Sequence, residues 1–178
     1  MNIIAYVISI LAFIFSISSS FIKGHTKIQM GVILTFTFLS NFFAGLGYII
    51  NGTGINGTVS CMLGAIISVI NFFYRMKNKP VPIVLLAVYT LAFTVLNIVF
   101  GEKVILTVLS ILATFAFILC VAKQYGKEFR NWKMVNNAIW SIYDITSKSY
   151  NSLLIHVATF LFTLLGSAIY DIKKEKSK

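Results

Sequence analysis

The chain has 178 residues, of which 58% are apolar and only 11% are charged, and its formal net charge is +10. Soluble globular domains contain about 25% charged residues, so this composition excludes an ordinary soluble protein and indicates an integral membrane protein. The bilayer core holds no water to bind backbone groups, and apolar runs of about 20 residues therefore predict membrane-spanning helices. The basic residues occur in short clusters between these runs, which is typical of topology signals, so no nucleic-acid partner is expected.

Seven apolar spans follow one another along the chain. We predict them at Ile3 to Ile22, Gln29 to Ile50, Gly57 to Tyr74, Val81 to Phe100, Val104 to Ala122, Asn131 to Thr146 and Ser152 to Tyr170. Thirteen of the 15 basic residues follow an odd-numbered span. The group assigned to the turn after the fifth span consists of Lys123, Lys127, Arg130 and Lys133. Because basic residues accumulate on the cytoplasmic side, seven spans predict an N-terminus outside and a C-terminus in the cytoplasm.

Two stretches of the chain share one layout at a separation of 96 positions. The stretch from Asn41 to Lys79 and the stretch from Asn137 to Glu175 each contain half a span, a short link, a whole span and a basic end. This pattern predicts a first three-helix repeat at residues 1–79, a linker transmembrane helix at 80–101, and a second three-helix repeat with a basic cytoplasmic tail at 102–178. A single linker span keeps the two repeats parallel.

Several residues of the second half resemble the YgjV family of bacterial inner-membrane proteins. They are Arg130, Trp140, the pair Tyr143-Asp144, and Ser147 to Ser149 before a last span with a basic end; in the first half, Gly52 and Arg75-Met-Lys77 agree in outline. The resemblance implies a multi-pass protein of the bacterial inner membrane and no particular activity. The three-one-three plan is more distantly similar to SWEET sugar facilitators and PnuC-type vitamin transporters, in which the substrate lies between the halves.

Asn41 and Asn137 are the sharpest candidates for solute contact. They lie near the middle of the second and sixth spans, at equivalent positions of the predicted repeat. Intramembrane polar residues face the protein interior or a wet cavity, and a carboxamide can both donate to and accept from a neutral polar ligand. The alternative is interhelical hydrogen bonding, worth about 1 kcal/mol or less per bond.

Aromatic and ionisable residues extend this candidate site. Trp140, Tyr143 and Asp144 follow Asn137 at helical spacing, and His156 lies in the last span. An aromatic plane can stack on a sugar or heterocycle while polar groups bind its hydroxyls, and histidine can carry a proton. The alternatives are an interfacial aromatic belt, a carboxylate at the water boundary and a hydrogen-bonded packing histidine.

The sequence contains no recognisable catalytic motif. Phosphate loops, nucleophile elbows and metal-ligand spacings are absent, so no enzyme, cofactor or metal site is expected. We therefore expect an all-α, SWEET-like transporter or facilitator of a small neutral polar solute such as a sugar, nucleoside or vitamin. A non-transporting membrane scaffold or regulatory protein is the alternative. The expected partners are membrane lipid and the solute, with a homo-oligomer through the small-residue ridge Ser60, Gly64 and Ser68 as a further alternative.

Overall fold

A computed structural model describes residues 3–51, 55–101 and 103–172, which form seven α-helices and no strand. The helices are α1 (Ile3–Ser20), α2 (Lys27–Asn51), α3 (Ile55–Met76), α4 (Ile83–Val99), α5 (Val104–Ala122), α6 (Gly126–Ser147) and α7 (Tyr150–Ser167). A π-helical turn at Ala168–Ile172 extends α7. The prediction of an all-helical protein with seven helices is therefore confirmed.

Five of the helices are long and apolar enough to cross a membrane, namely α1, α2, α3, α5 and α7 with the first turn of the π-helical extension. Many of their large apolar side chains face outward, and Val104 at the start of α5 is 83% exposed. Contiguous apolar surface of this kind is unfavourable in water and suits a lipid environment. The protein is thus a membrane protein. That the 17-residue apolar α4 and the polar α6 also cross the membrane stays a prediction.

The main helix contacts form a closed ring. α1 packs on α2, α2 on α3, α3 on α5, α5 on α6, α6 on α7, and α7 returns to α1. α4 lies outside this ring against α3 and α5. Four of the six helix pairs in the ring are also consecutive in the chain; the exceptions are the α3–α5 and α7–α1 pairs. Short connections therefore account for most of the packing.

The turn before α2 and the turn before α6 meet at one end of the bundle. Gly24 has a φ of +69°, and its carbonyl accepts a hydrogen bond of 3.0 Å from the backbone N–H of Gly126. A β-carbon on Gly24 would lie 2.6 Å from the α-carbon of Gly126, so both the positive φ and the close approach require glycine. We call this end, where α3 and α5 finish and α2, α4 and α6 begin, the basic end.

A buried apolar cluster fills the half of the bundle next to the basic end. Its fully buried members come from α2, α5 and α6, and they pack with Ile67 of α3 and Phe93 of α4. The residues from α2, α5 and α6 are Met30, Ile33, Leu34, Ile118, Cys120, Val121 and Phe129. Helix α6 adds buried polar residues to the interior beside this cluster.

Candidate functional site

Helix α6 turns its ionisable residues towards the protein interior. Its buried residues include Arg130, Lys133, Asn137 and Asp144, at spacings of three, four and seven. Residues at such spacings share one face of a helix, so these four side chains form a polar stripe along α6. From Arg130 to Asp144 the stripe is about 21 Å long at 1.5 Å per residue. Buried charged groups in a membrane protein are costly, so they mark a functional site or a tightly paired structure.

The far end of the stripe contains a carboxylate and an imidazole in direct contact. Oδ2 of Asp144 lies 2.6 Å from Nδ1 of His156, and the side chains are 3% and 23% exposed. The two-residue link between α6 and α7 makes this contact possible. Lys148 takes a left-handed conformation with a φ of 60°, and the N–H of Ser149 donates to the carbonyl of Asp144 at 2.8 Å. The chain thereby reverses tightly and lays α7 along α6.

Two aromatic rings lie beside this pair. The Trp140 ring stacks on the His156 ring with centroids 5.8 Å apart and an interplanar angle of 15°. The Tyr143 ring meets Trp140 edge-on at 5.0 Å. The structure thus brings together four of the six predicted site residues, namely Trp140, Tyr143, Asp144 and His156. The spacing of three of them along α6 and the short α6–α7 link produce this arrangement.

Tyr48 of α2 and Ser152 of α7 belong to the same site and were not predicted. The Tyr48 phenol interacts electrostatically with Ser152, Asp144 and Tyr143, which places it at this site. Gly57 makes room for it, since a β-carbon there would lie 2.9 Å from the Tyr48 ring. One signal in the sequence could have found Tyr48, because it lies 96 positions before Asp144 and is its counterpart in the predicted repeat. We call Tyr48, Trp140, Asp144, Ser152 and His156 the Asp144 cluster.

The two predicted asparagines each hydrogen-bond within their own helix. Nδ2 of Asn41 donates to the carbonyl of Thr37 at 2.9 Å, and Nδ2 of Asn137 donates to the carbonyl of Lys133 at 2.8 Å. The Asn41 carboxamide faces Gly64 of α3, where a β-carbon would lie 2.9 Å from Oδ1. No hydrogen bond joins the two carboxamides in the part of the chain that the structure describes. Their contact with a solute stays a prediction.

Lys133 links α6 to α1 in the middle of the stripe. Its Nζ donates to Oγ of Ser19 at 2.7 Å, to Oγ of Ser20 at 3.0 Å and to the carbonyl of Ser16. Ser20 in turn hydrogen-bonds Thr163 of α7 at 2.9 Å. The assignment of Lys133 to a cytoplasmic turn is therefore wrong. α6 begins at Gly126 rather than Asn131, and the serines of α1 solvate the ammonium group inside the bundle.

Arg130 was also assigned to that turn, and this assignment is wrong too. Its side chain is fully buried, with Nε 2.9 Å from Oδ2 of Asp171 and Nη2 2.6 Å from Oδ1. Nη1 donates to the carbonyl of Ile22 at 2.7 Å, and the guanidinium lies 5.5 Å from the centroid of the Tyr170 ring. Asp171 sits in the π-helical turn and is 7% exposed. The polar contacts of Arg130 thus join α6 to the π-helical extension of α7 and to the α1–α2 link at the basic end.

These contacts define what the site can do chemically. The His156 imidazole can exchange a proton with Asp144. The Asp144 carboxylate can also accept further hydrogen bonds, because His156 contacts only one of its oxygen atoms. The neighbouring rings offer an apolar surface for a ligand. Among the described residues no group of three or more His, Cys, Asp and Glu side chains is placed to hold a metal ion.

No protein-family model, no curated protein and no solved structure matches this chain.

Proposed function

We propose that the protein is a transporter or facilitator that moves a small neutral polar solute across the bacterial inner membrane. The Asp144 cluster is the observation that carries this proposal. It combines an aromatic plane, a buried carboxylate, an imidazole and two hydroxyl groups within one site. Binding sites for small ligands have this composition, with apolar walls and a few convergent polar groups that fix orientation.

The charges in the bundle favour an uncharged solute. Asp144 contacts His156, and Arg130 forms a bidentate pair with Asp171, so the buried carboxylates already have partners. A charged solute would have to break one of these pairs, and leaving its partner alone in a buried site costs about 3–5 kcal/mol. A hydroxyl or amide of a neutral solute needs only the spare acceptor positions of Asp144 and the donors around it.

The ring of helices supports the two-repeat plan for this transporter. If α1, α2 and α3 correspond to α5, α6 and α7, the neighbours of each helix in the ring correspond to the neighbours of its counterpart. For example, α1 contacts α2 and α7, and α5 contacts α6 and α3. α4, outside the ring, then serves as the linker. On this plan all seven helices span the membrane with the N-terminus outside, and the Asp144 cluster opens towards the outer side. The bacterial inner-membrane location follows from the resemblance to the YgjV family.

Ligand-dependent thermal stability followed by flux tests this proposal. Purified protein is screened against sugars, nucleosides and vitamin precursors, because a ligand that binds only the folded state must stabilise it. We expect one class to stabilise the wild type and not Asp144→Asn or His156→Gln. Losing a hydrogen bond to a charged group, about 1.5–3 kcal/mol, lowers affinity about tenfold or more. The matched control is His25→Gln, which changes the exposed histidine at the basic end.

Uptake of the stabilising solute into proteoliposomes should fall in parallel with affinity. Equal stabilisation and uptake in all three variants would contradict the assignment of the site. If no solute class stabilises the wild type, a non-transporting scaffold is the better reading. One observation favours that second candidate, since Arg130, Lys133, Asn41 and Asn137 all have protein partners that hold helices together or cap their own backbone.

A further inference from the structure

A small cavity lies at the basic end between α3, α5 and the α3–α4 link. Its polar lining consists of Asn71, Arg75, Lys79, Lys123 and Gln124, and its volume is about 10 Å³. A cavity of that size holds about one water-sized atom. It is remote from the Asp144 cluster, which lies at the opposite ends of α6 and α7.

Two buried donors at this cavity lack an acceptor. Asn71 is 1% exposed, and its Oδ1 accepts a hydrogen bond of 3.3 Å from the Tyr89 hydroxyl. Its Nδ2 and Nε of Arg75 have no hydrogen-bond partner among the described residues. A buried donor without a partner is destabilising by about 1–3 kcal/mol, so two of them at one cavity point to an oxygen ligand.

The charge around the cavity favours an anionic oxygen. Arg75, Lys79 and Lys123 all line it. In the part of the chain that the structure describes, an acidic side chain pairs with only one of these three cations, Glu128 with Lys123 at 3.6 Å in a partly exposed pair. The cationic groups of Arg75 and Lys79 therefore remain available, and guanidinium and ammonium groups are the usual donors to phosphate oxygens.

An apolar groove begins beside the cavity and follows the seam between α4 and α5. Its volume is about 560 Å³, and its lining includes Ile83, Leu86 and Leu91 of α4 and Phe115 and Leu119 of α5. Val81 lines the cavity, and Ile83, two residues further on at the start of α4, lines the groove, so the cavity and the groove are adjacent. α4 lies outside the ring of helices, so this seam faces lipid.

We propose that the cavity and the groove together bind one anionic phospholipid. A phosphate oxygen of the headgroup accepts hydrogen bonds from Asn71 Nδ2 and Arg75 Nε, Lys79 contributes charge, and an acyl chain occupies the α4–α5 groove. The groove distinguishes a lipid from free phosphate, because inorganic phosphate would leave it empty. Basic pockets between helices on one side of a membrane protein bind lipid headgroups in this way.

Native mass spectrometry of the detergent-purified protein tests the headgroup contact. Phosphatidylglycerol and phosphatidylcholine with identical chains are titrated onto the wild type, Arg75→Gln and Lys77→Gln. We expect the wild type to prefer phosphatidylglycerol about tenfold, Arg75→Gln to lose this preference and Lys77→Gln to retain it. Lys77 is the matched control, since it is exposed, lies in the same link and does not line the cavity.

A second variant protects the test against misfolding of Arg75→Gln. Lys79 is exposed, so Lys79→Gln should fold, and it should reduce the preference at least threefold. Equal binding of the two lipids to the wild type, or equal losses in Lys77→Gln and Arg75→Gln, would overturn the proposal. Unchanged lipid preference in Arg75→Gln and Lys79→Gln would mean that the cavity holds only water.

The acyl chain and the source of the phosphate are tested separately. Ala87→Trp fills the groove without changing charge, whereas Val88→Trp places the same indole side chain at an exposed position outside it. We expect only Ala87→Trp to weaken phosphatidylglycerol binding, by about tenfold. Inorganic phosphate is titrated in the same way, and Arg75-dependent phosphate binding that displaces the lipid, with no effect of Ala87→Trp, would assign the site to a free anion instead.

Discussion

The guanidinium group of Arg130 is completely buried, so its effect on the stability of the protein depends on its partners. The Asp171 carboxylate and the Ile22 carbonyl accept its hydrogen bonds, and Tyr170 covers one face. Desolvating both charges is costly, so the pair itself adds little net stability compared with apolar residues of the same shape. Removing one partner alone is a different matter, because the other charge is then buried without compensation.

Arg130→Ala should therefore lower the free energy of unfolding by about 3–5 kcal/mol. The double variant Arg130→Met with Asp171→Leu should recover much of this loss, since it removes both buried charges at once. Denaturant unfolding in detergent measures the difference. Lys27→Ala is the control, as it removes an exposed positive charge at the same end and should stay within about 0.5 kcal/mol of the wild type. A double variant that is less stable than Arg130→Ala would contradict this account.

The candidate site was predictable where it depended on one helix and not where it depended on several. Helical spacing placed Trp140, Tyr143 and Asp144 on one side of α6, and the short α6–α7 link brought His156 to them. Tyr48 arrives from a different part of the chain, and hydropathy carries no information about such a long-range contact. Arg130 and Lys133 were misassigned because a basic residue near a predicted span end has the pattern of a topology signal, and its buried partners are invisible to that pattern.

Helix α6 is the element whose relation to the membrane is least obvious from its composition. It carries buried charges and is not among the helices apolar enough to span on their own, yet it packs between α5 and α7 inside the ring. Its polar stripe faces protein partners, and exposed residues such as Val135, Ile142 and Ile145 lie elsewhere on its surface. A helix of this kind can cross a membrane because its neighbours satisfy its polar face.

Cysteine labelling tests whether α6 spans the membrane. Tyr125 and Tyr150 are exposed and flank the helix at its two ends. In a background in which Cys61 and Cys120 are replaced by alanine, Tyr150→Cys should react with a membrane-impermeant maleimide in intact cells. Tyr125→Cys should react only after the membrane is permeabilised. Labelling of both cysteines from the same side would show that α6 does not span. Lys103→Cys and Lys123→Cys, which flank the apolar α5, serve as references for the two sides.

At the scale of the whole molecule, the contact between α7 and α1 closes the ring. Gly166 packs directly against the Ser20 carbonyl, and one turn earlier Thr163 hydrogen-bonds the Ser20 hydroxyl. These residues are more than 140 positions apart, so the number and order of the helices could be predicted from hydropathy while ring closure could not. The helix adjacency depends on side-chain fit between distant elements, which neither charge distribution nor apolar periodicity reports.

Gly166→Ala should separate α1 from α7, because the added methyl group meets backbone atoms that cannot move aside. We expect a loss of about 1–3 kcal/mol in unfolding free energy, the usual cost of overpacking. Gly47→Ala is a matched control, since its β-carbon would lie 3.4 Å from the Ser9 hydroxyl in ordinary contact. That variant should be neutral or slightly stabilised by the higher helix propensity of alanine. Equal unfolding midpoints for both variants would argue against a tight α1–α7 contact.

If α6 spans the membrane as predicted, its polar stripe also constrains how the protein is made. During synthesis α6 emerges before α7, at a time when Arg130 has no carboxylate partner and Asp144 has no imidazole. A ribosome-bound chain that ends before α7 therefore cannot satisfy α6 in the hydrocarbon, although Lys133 could already meet the serines of α1. On this topology, stable insertion of α6 must wait for α7, so the last two helices would enter the bilayer as one antiparallel hairpin, and the pairing of their charges would set the order of assembly.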